Sequence, residues 1–452
     1  MQIVDVNRGS AWLSAARQNR MARSISGTAL LQGISMGLAF VTSVLLSRTL
    51  GASGYGAYAY AIAWVGFLLI PAVLGMDRYL IRGVATYRAS KDWGLMRGLV
   101  LWANRSVFTV SVLMAILAAG VGYLTLPRSF RGTFILAMPL LPVTALVIAR
   151  QATMTGLSRS VAAQFPEYLI RPLLLVLGLA PFALGLGLKL TPQLAMAVNL
   201  VAVGAAFVVG MTMLRRALPK QVWTADAGYE ARTWRRAALP MMLLGGMWMV
   251  NPLVSTIMLG SLRNAHDVGV YTVIARGADI MTIGLLAVTT PLSPRVAQLF
   301  ALGDTRGMQR VVTRAAKVSL AWSAPVAIVL IALRHPLLSI FGSQFAAAGL
   351  PFAIMVAGQF VNTAAGPAGI VLMMTKHERA AAVGVGAGLV VNLALNAALV
   401  PSLGVEGAAI GTSMSRLIWN CALAGYAATR LKINTTVAFR GPNPATAASR
   451  GG

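Results

Sequence analysis

Charge is what this chain has least of. Only 11% of its 452 residues are Asp, Glu, Lys or Arg, against roughly 25% in soluble proteins. A soluble fold of this length could not cover its surface with so few ionised groups, so an ordinary cytoplasmic enzyme is excluded. Acids are scarcest, 11 against 38 Lys and Arg. There is a single cysteine, Cys421, in an apolar stretch, which excludes a disulfide framework or a cysteine metal site within one chain. The three histidines, His266, His335 and His377, are scattered, so no histidine metal cluster is expected. No G-x-x-x-x-G-K-[ST] loop occurs, which leaves nothing to cradle ATP phosphates. No cofactor or metal is expected.

Apolar residues, by contrast, make up 57% of the chain. They fall in long blocks, and about 20 apolar residues are needed to cross a bilayer core of about 30 Å. Twelve such blocks lie near 26–47, 55–76, 104–126, 132–152, 168–188, 193–214, 238–260, 268–290, 316–333, 350–373, 380–400 and 405–428. The sequence therefore predicts an all-α integral membrane protein with about 12 transmembrane helices. The first block is too long for a cleaved signal peptide and reads as a retained span. Ahead of it, Trp12, Leu13, Ala16 and Met21 alternate with Arg17, Arg20 and Arg23, the pattern of an amphipathic helix at a membrane surface.

The net charge of +27 has a membrane explanation, because Lys and Arg collect in cytoplasmic loops. With a cytoplasmic N-terminus, the cytoplasmic segments hold 27 Lys and Arg, and the opposite loops hold 6: Arg48, Arg128, Arg131, Lys189, Arg263 and Arg334. Both termini are then expected in the cytoplasm of a bacterium, with the chain in its cytoplasmic (inner) membrane. Nucleic acid is not an expected partner, since no basic stretch interleaves with stacking aromatics.

The chain also repeats itself. A shift of 213 residues places Gly56 and Tyr58 on Gly269 and Tyr271, Arg82 on Arg295, Gly94 on Gly307 and Arg97 on Arg310. Six spans separate the two copies, so both have the same topology. Such a parallel repeat predicts two six-helix lobes facing each other across a cleft, an architecture suited to alternating access. The expected organisation is a basic cytoplasmic segment at 1–25, an N-terminal lobe at 26–214 and a basic linker at 215–237. A C-terminal lobe at 238–428 and a cytoplasmic tail at 429–452 complete it.

Ionisable groups inside spans single themselves out, because an Arg at mid-membrane costs at least about 2.5–3.5 kcal/mol on insertion scales. Arg276 and Asp279 lie in the eighth block, one helical turn apart. They either face the cleft or form a mutually neutralising pair. Arg416, in the middle of the twelfth block, has no acid beside it in sequence and must face protein or water. Arg48 lies at the outer end of the first block, where snorkelling competes with a cleft role. Arg105, Arg150 and Arg171 lie near cytoplasmic helix ends and read as snorkelling side chains. Gln32 and Asn251, in the first and seventh blocks, are candidate sugar-contacting amides or interhelical hydrogen-bonding groups. Gly384 and Gly388 form a G-x-x-x-G helix-packing motif, and Pro252 and the run Ala364–Pro367 mark bends.

Two segments carry a resemblance. Residues 47–97 contain an LG-x-x-x-YG-x-Y turn followed by a helix ending in G-x-D-R-x-L-x-R. Val391-Asn392-Leu393-Ala394-Leu395-Asn396, Leu399-Val400-Pro401 and Gly404-Val405-Glu406-Gly407-Ala408-Ala409 form a second. Both resemble the bacterial polysaccharide-biosynthesis flippases of the multidrug/oligosaccharidyl-lipid/polysaccharide exporter superfamily. The resemblance implies a flippase, not an enzyme. It would carry polyprenyl-diphosphate-linked oligosaccharide from the inner to the outer leaflet for surface or exopolysaccharide synthesis. Membrane lipids, a coupling ion and a polysaccharide polymerase are its candidate partners. The alternatives are a cation-coupled multidrug exporter on the same scaffold and a lipid II flippase. Against the first stands the lack of Asp or Glu in the first and seventh blocks; against the second stands the span count. A membrane glycosyltransferase is disfavoured because the outer loops are short and hold few acids.

Overall fold

The structure is a computed structural model that describes residues 6–184 and 189–436. The extremities of the basic N-terminal segment (1–5) and of the tail (437–452) lie outside the described residues. So do residues 185–188 at the end of the fifth expected span.

Helix is the only regular structure among the described residues. This follows from the apolar blocks, since a backbone in lipid must satisfy every N–H and C=O internally. The N-terminal half comprises α1 (Val6–Val73), α2 (Met76–Ser90), α3 (Trp93–Thr125), α4 (Arg128–Ala137), α5 (Leu140–Gly156), α6 (Ser160–Phe165), α7 (Arg171–Ala183) and α8 (Pro192–Ala217). A short α9 (Lys220–Thr224) lies in the linker. The C-terminal half comprises α10 (Ala231–Leu262), α11 (Ala265–Asp279), α12 (Thr282–Ala301), α13 (Thr305–Ala332), α14 (Arg334–Phe341), α15 (Gly349–Ala364), α16 (Ala368–Met374), α17 (Glu378–Leu403) and α18 (Val405–Arg430).

Each of the twelve expected blocks is mainly helical where described, with short breaks at 74–75, 138–139, 280–281 and 365–367. Eight helices are long and apolar enough to cross a membrane, or up to ten if each of two bent pairs counts as one span. The stretch Gly27–Val73 is one of the eight, and a kink at Gly51 (φ 68°, ψ 179°) divides it. That left-handed backbone is open to glycine at little steric cost, and it separates the first two expected spans. Helix α18 is 26 residues long but carries Glu406, Arg416 and Arg430. A count of twelve thus depends on dividing Gly27–Val73 at Gly51 and admitting α18.

The outside of the bundle is apolar. Leu117 on α3, Val201 on α8 and Val383 on α17 are about 70% exposed, as lipid-facing side chains must be. Inside, Gly384 and Gly388 let α17 approach Leu423, Trp419 and the Ser415 carbonyl of α18, which is the close packing the motif predicts.

Three of the expected spans are bent or broken. The pair Ala265–Asp279 and Thr282–Ala301 bends by 46°, so the eighth expected span breaks directly after Asp279. The seventh bends by 45° between Met242 and Gly245, about two and a half turns before Pro252. Pro252 itself lies within α10. In the tenth span the helix stops at Ala364 and resumes at Ala368, with Gly366 at φ 74°, as the Ala364–Pro367 run predicts. The linker is tied to the first half: Arg97 Nη1 donates to the Ala225 carbonyl at 2.7 Å and Gly228 N to the Gly94 carbonyl at 3.1 Å.

Candidate functional site

The repeat-related glycines meet. A Cβ on Gly56 would lie 1.7 Å from the Ala265 carbonyl oxygen, and one on Gly269 would lie 2.0 Å from that of Ala52. Backbone therefore touches backbone where the second half of α1 crosses α11, and no side chain fits between them. At the same end, Arg48 Nε donates to the Ile340 carbonyl at 2.6 Å, joining α1 to α14.

Beyond this crossing the two halves part around a cavity of about 440 Å³. Its walls come from α1, α7 and α8 of the first half and α10, α11, α15 and α18 of the second. Tyr58 and Tyr271, also related by the repeat, both line it. Tyr55 hydrogen-bonds to Ser43 at 2.6 Å and Tyr271 to Thr412 at 2.8 Å, so each half presents an aromatic ring fixed at its hydroxyl.

Five ionisable groups besides the tyrosines line the cavity: Arg171, Arg276, Arg416, Glu167 and Asp279. Three arginines face two carboxylates, a formal excess of one positive charge. Arg276 lies in the last turn of α11, where the negative end of the helix dipole favours a cation. Among the described residues neither Arg276 nor Arg416 has a carboxylate oxygen within the 4.0 Å of a salt bridge. Asp279 lies in the electrostatic reach of Arg416 first and Arg276 second. Among the described residues no salt bridge joins Arg276 to Asp279. Arg416 Nη1 is buried with no hydrogen-bond partner among the described residues. Such a donor leaves a full desolvation penalty unmet, which an anion in the cavity would relieve.

Of the six residues singled out from sequence, the structure brings Arg276, Asp279 and Arg416 together. Arg48 lies outside the central cavity, in a second recess with Lys189 and Phe182 beside the Gly51 kink of α1. Gln32 is absent from the lining, and so is Asn251, which is 4% exposed. Asn251 belongs to a buried network instead. Its Nδ2 donates to Ser415 Oγ at 3.1 Å, and Asn392 Nδ2 donates to its Oδ1 at 2.8 Å. Ser255 continues the chain to Asn392 at 3.3 Å and Thr412 at 2.7 Å. These bonds join α10, α17 and α18, so the interhelical role is the one its position supports.

Sequence reasoning missed Glu167 and misplaced Arg171 and Arg150. Arg171 does not snorkel: its Nη1 pairs with Glu167 Oε2 at 3.2 Å and its Nη2 donates to Asn199 Oδ1 at 3.5 Å. Arg150, at 1% exposure, is packed inside the first half against Gly210, and donates to the Ala163 carbonyl at 3.2 Å. An E-x-x-x-R spacing between Pro166 and Pro172 was the available signal.

The fold and its central cavity define the class. A multidrug-resistance MATE-family transporter of the MOP superfamily in an inward-facing conformation has a similar fold. The TM-score is 0.69 at 12% identity, covering 89% of this chain and 98% of that one. The lipid II flippase MurJ in an inward closed conformation gives 0.68 at 14% identity, covering 88% and 87%. A MOP-superfamily transporter from Pyrococcus furiosus, described as having a binding pocket of reversed polarity, gives 0.63 at 11% identity, covering 90% and 95%. The protein has the multi-pass membrane fold of MOP-superfamily transporters. More particularly, a family model described as polysaccharide biosynthesis protein matches residues 21–300, more than half the chain. The chain belongs to that family. A second model, MatE, matches residues 240–398. A search of curated protein sequences finds no match.

Proposed function

We propose that this protein is a flippase that moves a polyprenyl-diphosphate-linked oligosaccharide across the bacterial cytoplasmic membrane by alternating access. The observation that carries this reading is the arginine excess in the cavity, with Arg276 and Arg416 free of carboxylate partners among the described residues. A diphosphate is the anion that must cross the low-dielectric core, and cationic side chains are its complement. Arg suits it because the planar fork donates two parallel hydrogen bonds. Tyr58, Tyr271 and the amide of Asn199 offer surfaces to sugar rings. The backbone crossing at Gly56 and Gly269 closes one end, by charge asymmetry the periplasmic one, and parts when the lobes rock about the cavity.

A cation-coupled drug exporter fits less well. Its cargo is an organic cation, and the cavity charge repels one. The first and seventh spans hold no carboxylate to bind a coupling ion. A lipid II flippase shares the diphosphate chemistry, so the glycan distinguishes the two. Deleting the gene is expected to abolish a surface or secreted glycan other than peptidoglycan, while its lipid-linked precursor accumulates on the cytoplasmic leaflet. Normal glycan with raised drug sensitivity would point to the exporter, and arrested peptidoglycan synthesis to lipid II.

A further inference from the structure

The cavity wall is irregular where the fifth span begins. Residues Pro166–Ile170 form a single π-helical turn between α6 and α7, with Pro172 just beyond. An inserted π turn re-aims side chains and recurs at functional sites. Here it brings Glu167 and Arg171 to the cavity wall as an ion pair.

The pair is unevenly built. Arg171 is 30% exposed at its side chain and faces the cavity, while the Glu167 side chain is only 9% exposed. Glu167 Oε2 holds Arg171, but Oε1 is buried without a hydrogen-bond partner among the described residues. A carboxylate so deeply desolvated and half satisfied is poor evidence of stabilisation, since an apolar replacement of both partners is often neutral or better. Packing alone does not call for an acid here. A cavity that selects an anion in a membrane does.

Bilayers are full of monoanionic phosphodiester lipids. Without Glu167, three arginines opposed only by Asp279 would hold these as readily as any scarcer substrate. We propose that Glu167 is a specificity-determining residue, an internal competitor for Arg171 that a phosphodiester lipid fails to displace and a diphosphate-linked lipid displaces. The proposal rests on the flippase reading above. One phosphate of a diphosphate engages Arg276 and Arg416, and its second phosphate has the charge and the acceptor oxygens to take Arg171 from Glu167. The single charge of a phosphodiester does not take Arg171 from Glu167. Once that carboxylate is gone, the same phosphate gathers Arg171 as a further donor, since Arg171, Arg276 and Arg416 line one cavity. The displaced carboxylate is not stranded. Arg150 lies within its electrostatic reach, and Arg150 Nε is itself buried without a hydrogen-bond partner among the described residues.

The test uses purified full-length protein in vesicles of phosphatidylcholine. Two fluorescent lipids are compared in the same vesicles: a polyprenyl-diphosphate-linked hexose and phosphatidylglycerol. Their ratio of translocation rates cancels differences in folded protein. Wild type is expected to favour the diphosphate. Glu167→Gln, which keeps the shape and removes the competing charge, should lower that ratio severalfold, because the phosphodiester gains Arg171 as a charge-assisted contact while the diphosphate lipid gains only relief from displacing Glu167. Glu167→Asp, too short to hold Arg171 in the same geometry, should lower it by less. An unchanged ratio in both variants, with the diphosphate lipid still carried by wild type, would overturn the proposal and leave the flippase reading intact. A wild type that moves phosphatidylglycerol as fast as the diphosphate lipid would overturn it too. Failure of wild type to move the diphosphate lipid at all would sink both.

Discussion

Arg276→Ala is expected to cut oligosaccharide export by about two orders of magnitude, the consequence of losing roughly 2–3 kcal/mol of charge-assisted hydrogen bonding. The folded protein should persist in the membrane. Arg276 donates to no carboxylate among the described residues, and Arg416 still lines the same cavity as Asp279. Arg276→Lys should retain part of the activity, since a point charge cannot reproduce the bidentate fork. The double change Arg276→Leu with Asp279→Leu separates a substrate role from mutual neutralisation. If the two residues only offset each other, removing both restores what either single change loses. No restoration is expected, measured as glycan export at matched membrane abundance.

Gly56→Val should be as damaging, by a different route. A Cβ at this position would sit 1.7 Å from the Ala265 carbonyl, and backbone cannot retreat as a flexible side chain can. Overpacking typically costs about 1–3 kcal/mol, so the closed state of this end loses roughly tenfold to a hundredfold in population. The readout is the thiol introduced by Ala52→Cys, once the native Cys421 has been replaced. Ala52 is 1% exposed beneath the crossing. That thiol should be protected from a membrane-impermeant reagent in the parent and labelled from the periplasmic side in Gly56→Val, with transport lost. Gly204→Ala is the control, because nothing lies within 4 Å of a Cβ there. A thiol still protected, with normal transport, in Gly56→Val would show that the close approach of Gly56 to Ala265 is not what closes this end.

Much of this was legible in the sequence because lipid leaves few options. Apolar blocks had to be helices, and those from Gly27 to Arg430 are mainly helical where described, interrupted by short breaks. The ungapped repeat was legible in more detail than topology requires: Gly56 and Gly269, paired by a shift of 213 residues, touch in space. Arg276, Asp279 and Arg416 could be found because a charge at mid-membrane must face something polar. Arg171 and Arg150 could not, since depth decides between snorkelling and burial. A π turn at Pro166–Ile170 moved one toward the cavity, and the packing of α5 against Gly210 buried the other. Asn251 illustrates a different limit. Its amide is equally suited to a sugar or to a neighbouring helix, and only the approach of Asn392 and Ser415 from α17 and α18 decided it.

Translocation by purified protein is the sharpest test of the flippase reading. Vesicles are loaded asymmetrically with a polyprenyl-diphosphate-linked oligosaccharide, and the sugar exposed on the opposite leaflet is followed with a lectin or a glycosidase. Protein-dependent translocation of the lipid-linked sugar is expected, inhibited by free polyprenyl diphosphate and not by organic cations. Vesicles that instead expel a lipophilic cation, while the lipid-linked sugar stays where it was placed, would contradict it.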